Sequence, residues 1–121
     1  MIESKLVRIV RRVKKVMCTD ISDQNKRNGK YYGYEAQSNQ LIEECAELIQ
    51  AVNKYRRAVA RVGEPVEEQK RVIALDNLVE EIVDVEIMLE QIKYLLQIPE
   101  DDMVAIKIYK VNRTKERIEK R

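Results

Sequence analysis

The chain predicts an all-α protein, and three observations carry that expectation. Gly 3 and Pro 2 in 121 residues leave too few turn-formers for the many short strands of a sandwich or barrel. Charged residues make up 36% and hydrophobic residues 45%, with Leu, Ile, Val, Glu and Lys dominant, which is the composition of long helices. Apolar residues recur at spacings of three and four through most of the chain. The length fits a single domain over residues 1–121, and four helices joined by short later connections predict a four-helix bundle.

The first helix is expected over residues 3–17, where Leu6, Ile9, Val10, Val13, Val16 and Met17 keep a helical period against Lys and Arg. Residues 18–34 break that period with Asp, Ser, Asn and Gly and end in Tyr31-Tyr32-Gly33-Tyr34, so they read as a loop. A second helix is expected from about Glu35 to Arg61, closed by Gly63 and Pro65. The third runs from about Glu67 to Leu96. Its stripe of Leu78, Ile82, Val85, Leu89, Ile92 and Leu96 is joined by Val79, Val83 and Ile87 on another side. A helix apolar on several sides is buried on several sides. One small chain has little to cover it with, which predicts a homo-oligomer with this helix central. Pro99 followed by Glu100, Asp101 and Asp102 starts the fourth helix, because acids suit the positive end of the helix dipole.

Composition removes whole classes of chemistry. The chain has no His, which excludes Ser-His and Cys-His nucleophile systems, His-ligated zinc and di-iron bundles built on Glu-x-x-His. Acids, bases and metal ligands must come from Asp, Glu, Lys, Tyr or Cys, and carboxylate-only sites suit hard cations such as Mg²⁺ or Mn²⁺. Cys18 and Cys45 are too few for a disulfide framework. No stretch approaches a membrane span, and the amino terminus alternates apolar and basic residues instead of forming a signal core. These features set the expectation of a cytoplasmic protein. Charge is unevenly laid out: residues 1–34 carry +6, residues 35–102 carry −9 and residues 103–121 carry +5.

The acidic centre contains a repeat. Leu41-Ile42-Glu43-Glu44-Cys45-Ala46-Glu47-Leu48 matches Leu78-Val79-Glu80-Glu81-Ile82-Val83-Asp84-Val85 at an offset of 37. With Leu41 and Leu78 each at the origin and about 100° per residue, Glu44 and Glu81 both fall near ~300°. Glu47 and Asp84 both fall near ~240°. Each helix therefore offers two neighbouring carboxylates beside its apolar stripe. If the two helices pack antiparallel, four carboxylates converge on one groove. Such a cluster must be protonated, paired with Lys or Arg, or neutralised by cations. The ridges face solvent or basic helices in one reading, and hold Mg²⁺ in the other.

Glu43-Glu44-x-x-Glu47 followed by Glu81-x-x-Asp84 resembles the signature of the MazG-like all-α nucleoside triphosphate pyrophosphohydrolases. The resemblance covers roughly residues 35–115 and extends to the basic fourth helix with Lys107, Lys110, Asn112 and Arg113. The 33 residues between Glu47 and Glu81 exceed the commonest spacing in that family. The resemblance implies Mg²⁺-dependent hydrolysis of a nucleoside triphosphate to the monophosphate and pyrophosphate. It implies a homodimer or homotetramer with sites lined by paired helices. Glu44, Glu47, Glu81 and Asp84 would be the metal ligands, and Lys54, Lys110 and Arg113 would approach phosphates.

That chemistry has physical requirements the residues can meet. A triphosphate is a polyanion that bare carboxylates would repel, so cations must bridge the two. With no His, the proton of the attacking water falls to a carboxylate, for which Glu43, Glu44 and Glu47 are the candidates. Gln37 and Gln40 share the sector of the acidic ridge and could bond a base edge or a sugar, or be ordinary surface glutamines. Stacking would fall to Tyr, since Trp and Phe are absent. A reading of another class is a non-catalytic helical oligomer that binds nucleic acid through its basic ends, and a third is a nucleotide sensor. The charge of −9 at the centre interrupts any continuous basic surface and disfavours a nucleic-acid partner.

Overall fold

The computed structural model describes residues 4–13, 20–59, 63 and 65–121. Among these the chain is all-helical, with α1 (Lys5–Val13), α2 (Ile21–Tyr32), α3 (Tyr34–Val59), α4 (Glu68–Leu95) and α5 (Glu100–Glu119). None of these helices is long and apolar enough to cross a membrane.

The main correction to the sequence reading lies in residues 18–34, expected as a loop and found to contain α2. Its polar residues serve a partner helix instead of solvent. Asn25 donates to the Ile87 carbonyl at 3.0 Å and to Glu90 Oε1 at 2.9 Å, while Ser22 Oγ donates to Glu90 Oε2 at 3.1 Å. Gly29 is buried, and it lets α2 approach α4 until a Cβ there would sit 3.0 Å from Gln91. Gly33, at φ 87°, turns the chain into α3, with its N–H bonded to the Gly29 carbonyl at 2.9 Å. That left-handed conformation suits glycine and ends α2. The chain thus has five helices among the described residues, where four were expected.

α1 begins with Ser4 Oγ accepting the Val7 N–H at 3.1 Å, an N-terminal cap. Its first residue anchors it to α4: the Lys5 N–H donates to Asp76 and its ammonium lies 2.9 Å from Glu80. The expected continuation of this helix through residues 14–17 lies outside the described residues. α4 ends in a Schellman-type turn. The Ile98 N–H reaches the Lys93 carbonyl at 3.0 Å, the Gln97 N–H reaches Tyr94, and Gln97 takes the left-handed conformation at φ 54°. Pro99 then starts α5 with its three first-turn acids, as the sequence predicts.

α3 and α4 form an antiparallel hairpin, because Gln37 near the start of α3 bonds Gln91 near the end of α4 while Lys54 and Arg57 lie beside Lys70 and Ile73. α2 packs on both, mainly on α4. The core is thin: Ala51, Val85 and Met88 are the buried hydrophobic residues among those described, and no large side chain is fully enclosed. α5 is exposed along its whole length and packs along none of α2, α3 or α4. Among the described residues the packed unit is therefore three helices, α2, α3 and α4.

Candidate metal centre

Antiparallel packing brings the two acidic ridges together. Glu44 from α3 and Glu81 and Asp84 from α4 each place a carboxylate oxygen within 4.8 Å of the others. The repeat frame explains this: Ala51 and Met88, each seven residues beyond Glu44 and Glu81, are buried along the helix–helix contact and hold those glutamates at the same line. All three acids are half-buried.

The oxygens are poorly satisfied. Gln40, one turn before Glu44, donates its amide to Glu44 Oε1 at 2.7 Å. Glu44 Oε2 and Glu81 Oε2 are both enclosed and have no hydrogen-bond partner among the described residues. Burial pushes the Glu81 carboxyl above the usual range, reinforced by the charges of Glu47 and Asp84, a hydrogen bond with Glu47, and the charge of Glu44. Burial also raises Asp84, with the charges of Glu44 and Glu80 adding to it. Buried acceptors without donors are rare in folded chains and call for an explanation. An oxygen-only donor set of converging carboxylates fits a hard divalent cation such as Mg²⁺ or Mn²⁺.

Glu47, expected as a fourth ligand, is exposed on α3 and is not among the three acids whose oxygens converge, although its charge helps to raise Glu81. Glu43 is exposed on the neighbouring ridge of α3. Gln37 is buried and donates to Gln91 Oε1 at 2.7 Å, and Gln91 in turn donates to Asn25 at 2.8 Å. Its amide thus links α3 to α4 and α2. Lys54 lines a cleft of about 460 Å³ together with Arg57, Lys70, Ile73, Ala74 and Asn77. Asn77 stands one turn before Glu81 on α4, so this basic cleft continues the groove that holds the carboxylates. Lys110 and Arg113 stand on α5, exposed and apart from the groove, with the Arg113 guanidinium 5.6 Å from the Tyr109 ring centre.

Sequence reasoning missed Arg57 and Lys70. Arg57 shares a ridge with Lys54 at a spacing of three, a signal present in the sequence. Lys70 joins them only through the antiparallel packing of α4. The Asn25–Gln91–Gln37 network was likewise missed, since its residues lie on three separate elements. No protein-family model, no curated protein and no solved structure matches the chain.

Proposed function

We propose that the protein is a Mg²⁺-dependent nucleoside triphosphate pyrophosphohydrolase, acting as a homodimer or homotetramer. The observation that carries this reading is the convergence of Glu44, Glu81 and Asp84 within 4.8 Å with two enclosed, unpartnered oxygens. The resemblance of the paired acidic motifs to the MazG-like family supports it. So does the groove, which runs from carboxylates to the Lys54, Arg57 and Lys70 cleft.

Glu44, Glu47, Glu81 and Asp84 would hold the cation. When bound, Mg²⁺ supplies charge neutralisation at the phosphates and at the leaving pyrophosphate. The chain's own residues do the rest. Lys54, Arg57 and Lys70 hold phosphate charge at the far end of the groove, which fixes the triphosphate lengthwise. Gln40 orients Glu44 by occupying one of its oxygens. Water adds across the α–β anhydride, the bridging P–O bond breaks, and monophosphate and pyrophosphate leave. The water's proton passes to a carboxylate of the Glu43, Glu44 and Glu47 group, where exposed Glu43 is free to exchange it with solvent.

The test is hydrolysis of a ribo- and deoxynucleoside triphosphate panel with Mg²⁺, resolving products by ion exchange. Monophosphate and pyrophosphate in equal amounts, lost without divalent cation, are the expected products. A folded protein that turns over none of the panel, or one that releases orthophosphate alone, overturns the reading.

A further inference from the structure

A second cleft opens between α2 and the end of α4, on the side of α4 away from the carboxylates. Glu90 and Lys93, which line it, stand nine residues beyond Glu81 and Asp84, about 180° round the helix and roughly 13 Å along it. Its volume is about 850 Å³, within the roughly 300–1,000 Å³ of sites that hold small molecules.

The basic charge of this cleft is not used up by its acids. Both oxygens of Glu90 take neutral donors, Ser22 Oγ at 3.1 Å and the Asn25 amide at 2.9 Å. Lys93 lies 4.0 Å from Glu100. Lys26 and Lys30 line the α2 wall at a spacing of four and have no ion pair among the described residues. Like charges at that spacing weaken a helix, and Lys26 is half-buried, so an anion held between the two relieves both costs. The Lys26 ammonium stands 5.9 Å from the ring centre of Tyr94, which is 42% exposed and lines the same cleft with Leu95 and Ile98 beside it.

Gln97 adds an independent observation. It takes the left-handed conformation at φ 54°, the position of a Schellman turn that glycine fills without strain. Here an amide side chain stands there and lines the cleft. The last carbonyls of α4 are occupied within the turn: Ile92 by the Leu96 N–H, Lys93 by Ile98 and Tyr94 by Gln97. They therefore set no free acceptors against an incoming anion.

We propose that this cleft binds an organic phosphate carrying a planar ring, of the nucleoside monophosphate class. Lys26 and Lys30 hold the phosphate through charge-assisted hydrogen bonds. The ring stacks on Tyr94 against Leu95 and Ile98, and the Gln97 amide bonds its polar edge. Because Lys26 already lies over the tyrosine, a ligand that reaches both must carry ring and phosphate a short distance apart. None of these residues belongs to the carboxylate centre. The proposal stands apart from the hydrolase reading, and its test contains neither divalent cation nor triphosphate.

The experiment is a titration of the full chain in EDTA with adenosine 5′-monophosphate, followed by NMR of ring-labelled tyrosines, with Tyr94 assigned through Tyr94→Phe. The Tyr94 resonance is expected to shift and saturate with Kd below about 1 mM. Adenosine alone and inorganic phosphate alone should each bind at least about 10-fold more weakly. Lys26→Gln with Lys30→Gln should raise Kd by at least about 10-fold, while Lys115→Gln with Lys120→Gln on α5 removes the same charge and leaves it unchanged. Gln97→Gly should raise Kd roughly 3-fold without lowering the thermal midpoint, which separates a ligand contact from a structural role. An unmoved Tyr94 resonance at 10 Kd-equivalents, about 10 mM ligand, overturns the proposal. So does an unchanged Kd in the Lys26 and Lys30 variant, or binding that is lost instead in Lys54→Ala with Arg57→Ala.

Discussion

Glu44 Oε2 and Glu81 Oε2 arrive from opposite helices of one hairpin, both enclosed and both without a hydrogen-bond donor. Their carboxylates, with Asp84, converge within 4.8 Å. Lys5 pairs with the adjacent Glu80 and Gln40 donates to one oxygen of Glu44, while Glu44 Oε2 and Glu81 Oε2 keep no hydrogen-bond partner among the described residues. Converging carboxylates without donors cost stability, and under the proposed reading a divalent ion would relieve that cost.

Mn²⁺ or Mg²⁺ is therefore expected to raise the thermal midpoint of the wild-type protein, and Glu81→Gln to abolish that rise. The same variant raises the midpoint of the metal-free protein by roughly 3–6 °C, the effect of about 1 kcal/mol in a domain of this size. Differential scanning fluorimetry with and without EDTA reads both. A variant that lowers the metal-free midpoint while keeping the metal-dependent rise would contradict the site.

Acidity should mimic the metal. Glu81 and Asp84 titrate above their ordinary values of 4.5 and 3.8, so near those values the native state binds more protons than the unfolded chain. Stability from these groups is present below their unfolded values and falls as pH rises through their raised ones. Urea midpoints of the metal-free protein, taken downward from neutrality, should increase from this contribution. The Glu81→Gln, Asp84→Asn double variant should show a flatter profile, and saturating Mg²⁺ should remove the gain.

The helical class, the bounds of α4 to within one residue, the starts of α3 and α5, and the pairing of Glu44 with Glu81 and Asp84 were legible in the sequence. Each rests on local periodicity or on an offset between two similar segments. α2 was not legible, because Ser22, Asn25 and Gly29 are loop residues by propensity and become helical through contacts with Ile87, Glu90 and Gln91 on α4. Gln37 reads as a groove residue by helical angle, and the structure spends its amide on Gln91. Both cases are tertiary contacts overriding local preference. The thinness of the single-chain core follows from the same cause: an apolar helix seam shows in sequence, but not what covers it.

Removing charge while keeping shape should separate the two halves of the groove. Glu44→Gln and Asp84→Asn are expected to lower kcat/KM by at least about 100-fold, since each takes a ligand from the cation. Lys54→Ala and Arg57→Ala are expected to raise KM by roughly 10-fold each, the loss of one charge-assisted phosphate contact. The midpoint shift with Mn²⁺ should persist in the lysine and arginine variants. Hydrolysis kinetics beside fluorimetry on the same preparations distinguish cation loss from phosphate loss.

Gly29→Ala offers a test of how α2 is held. In an isolated helix this change adds about 1 kcal/mol of helical propensity. Here the new Cβ would meet Gln91 Cβ and Cγ at 3.0 Å. Gln91 is 4% exposed and tied at both ends of its amide, to Gln37 at 2.7 Å and Asn25 at 2.8 Å. It has no free rotamer into which to retreat, so α2 must move off α4 and loosen those bonds. Overpacking of this kind costs about 1–3 kcal/mol, which outweighs the propensity gain. Urea denaturation should show a net loss of stability. Hydrogen exchange should show faster opening of α2 than in wild type, with the centre of the α3–α4 hairpin little changed. A gain in stability would mean that Gln91 yields and that the close approach at Gly29 is not what holds the two helices.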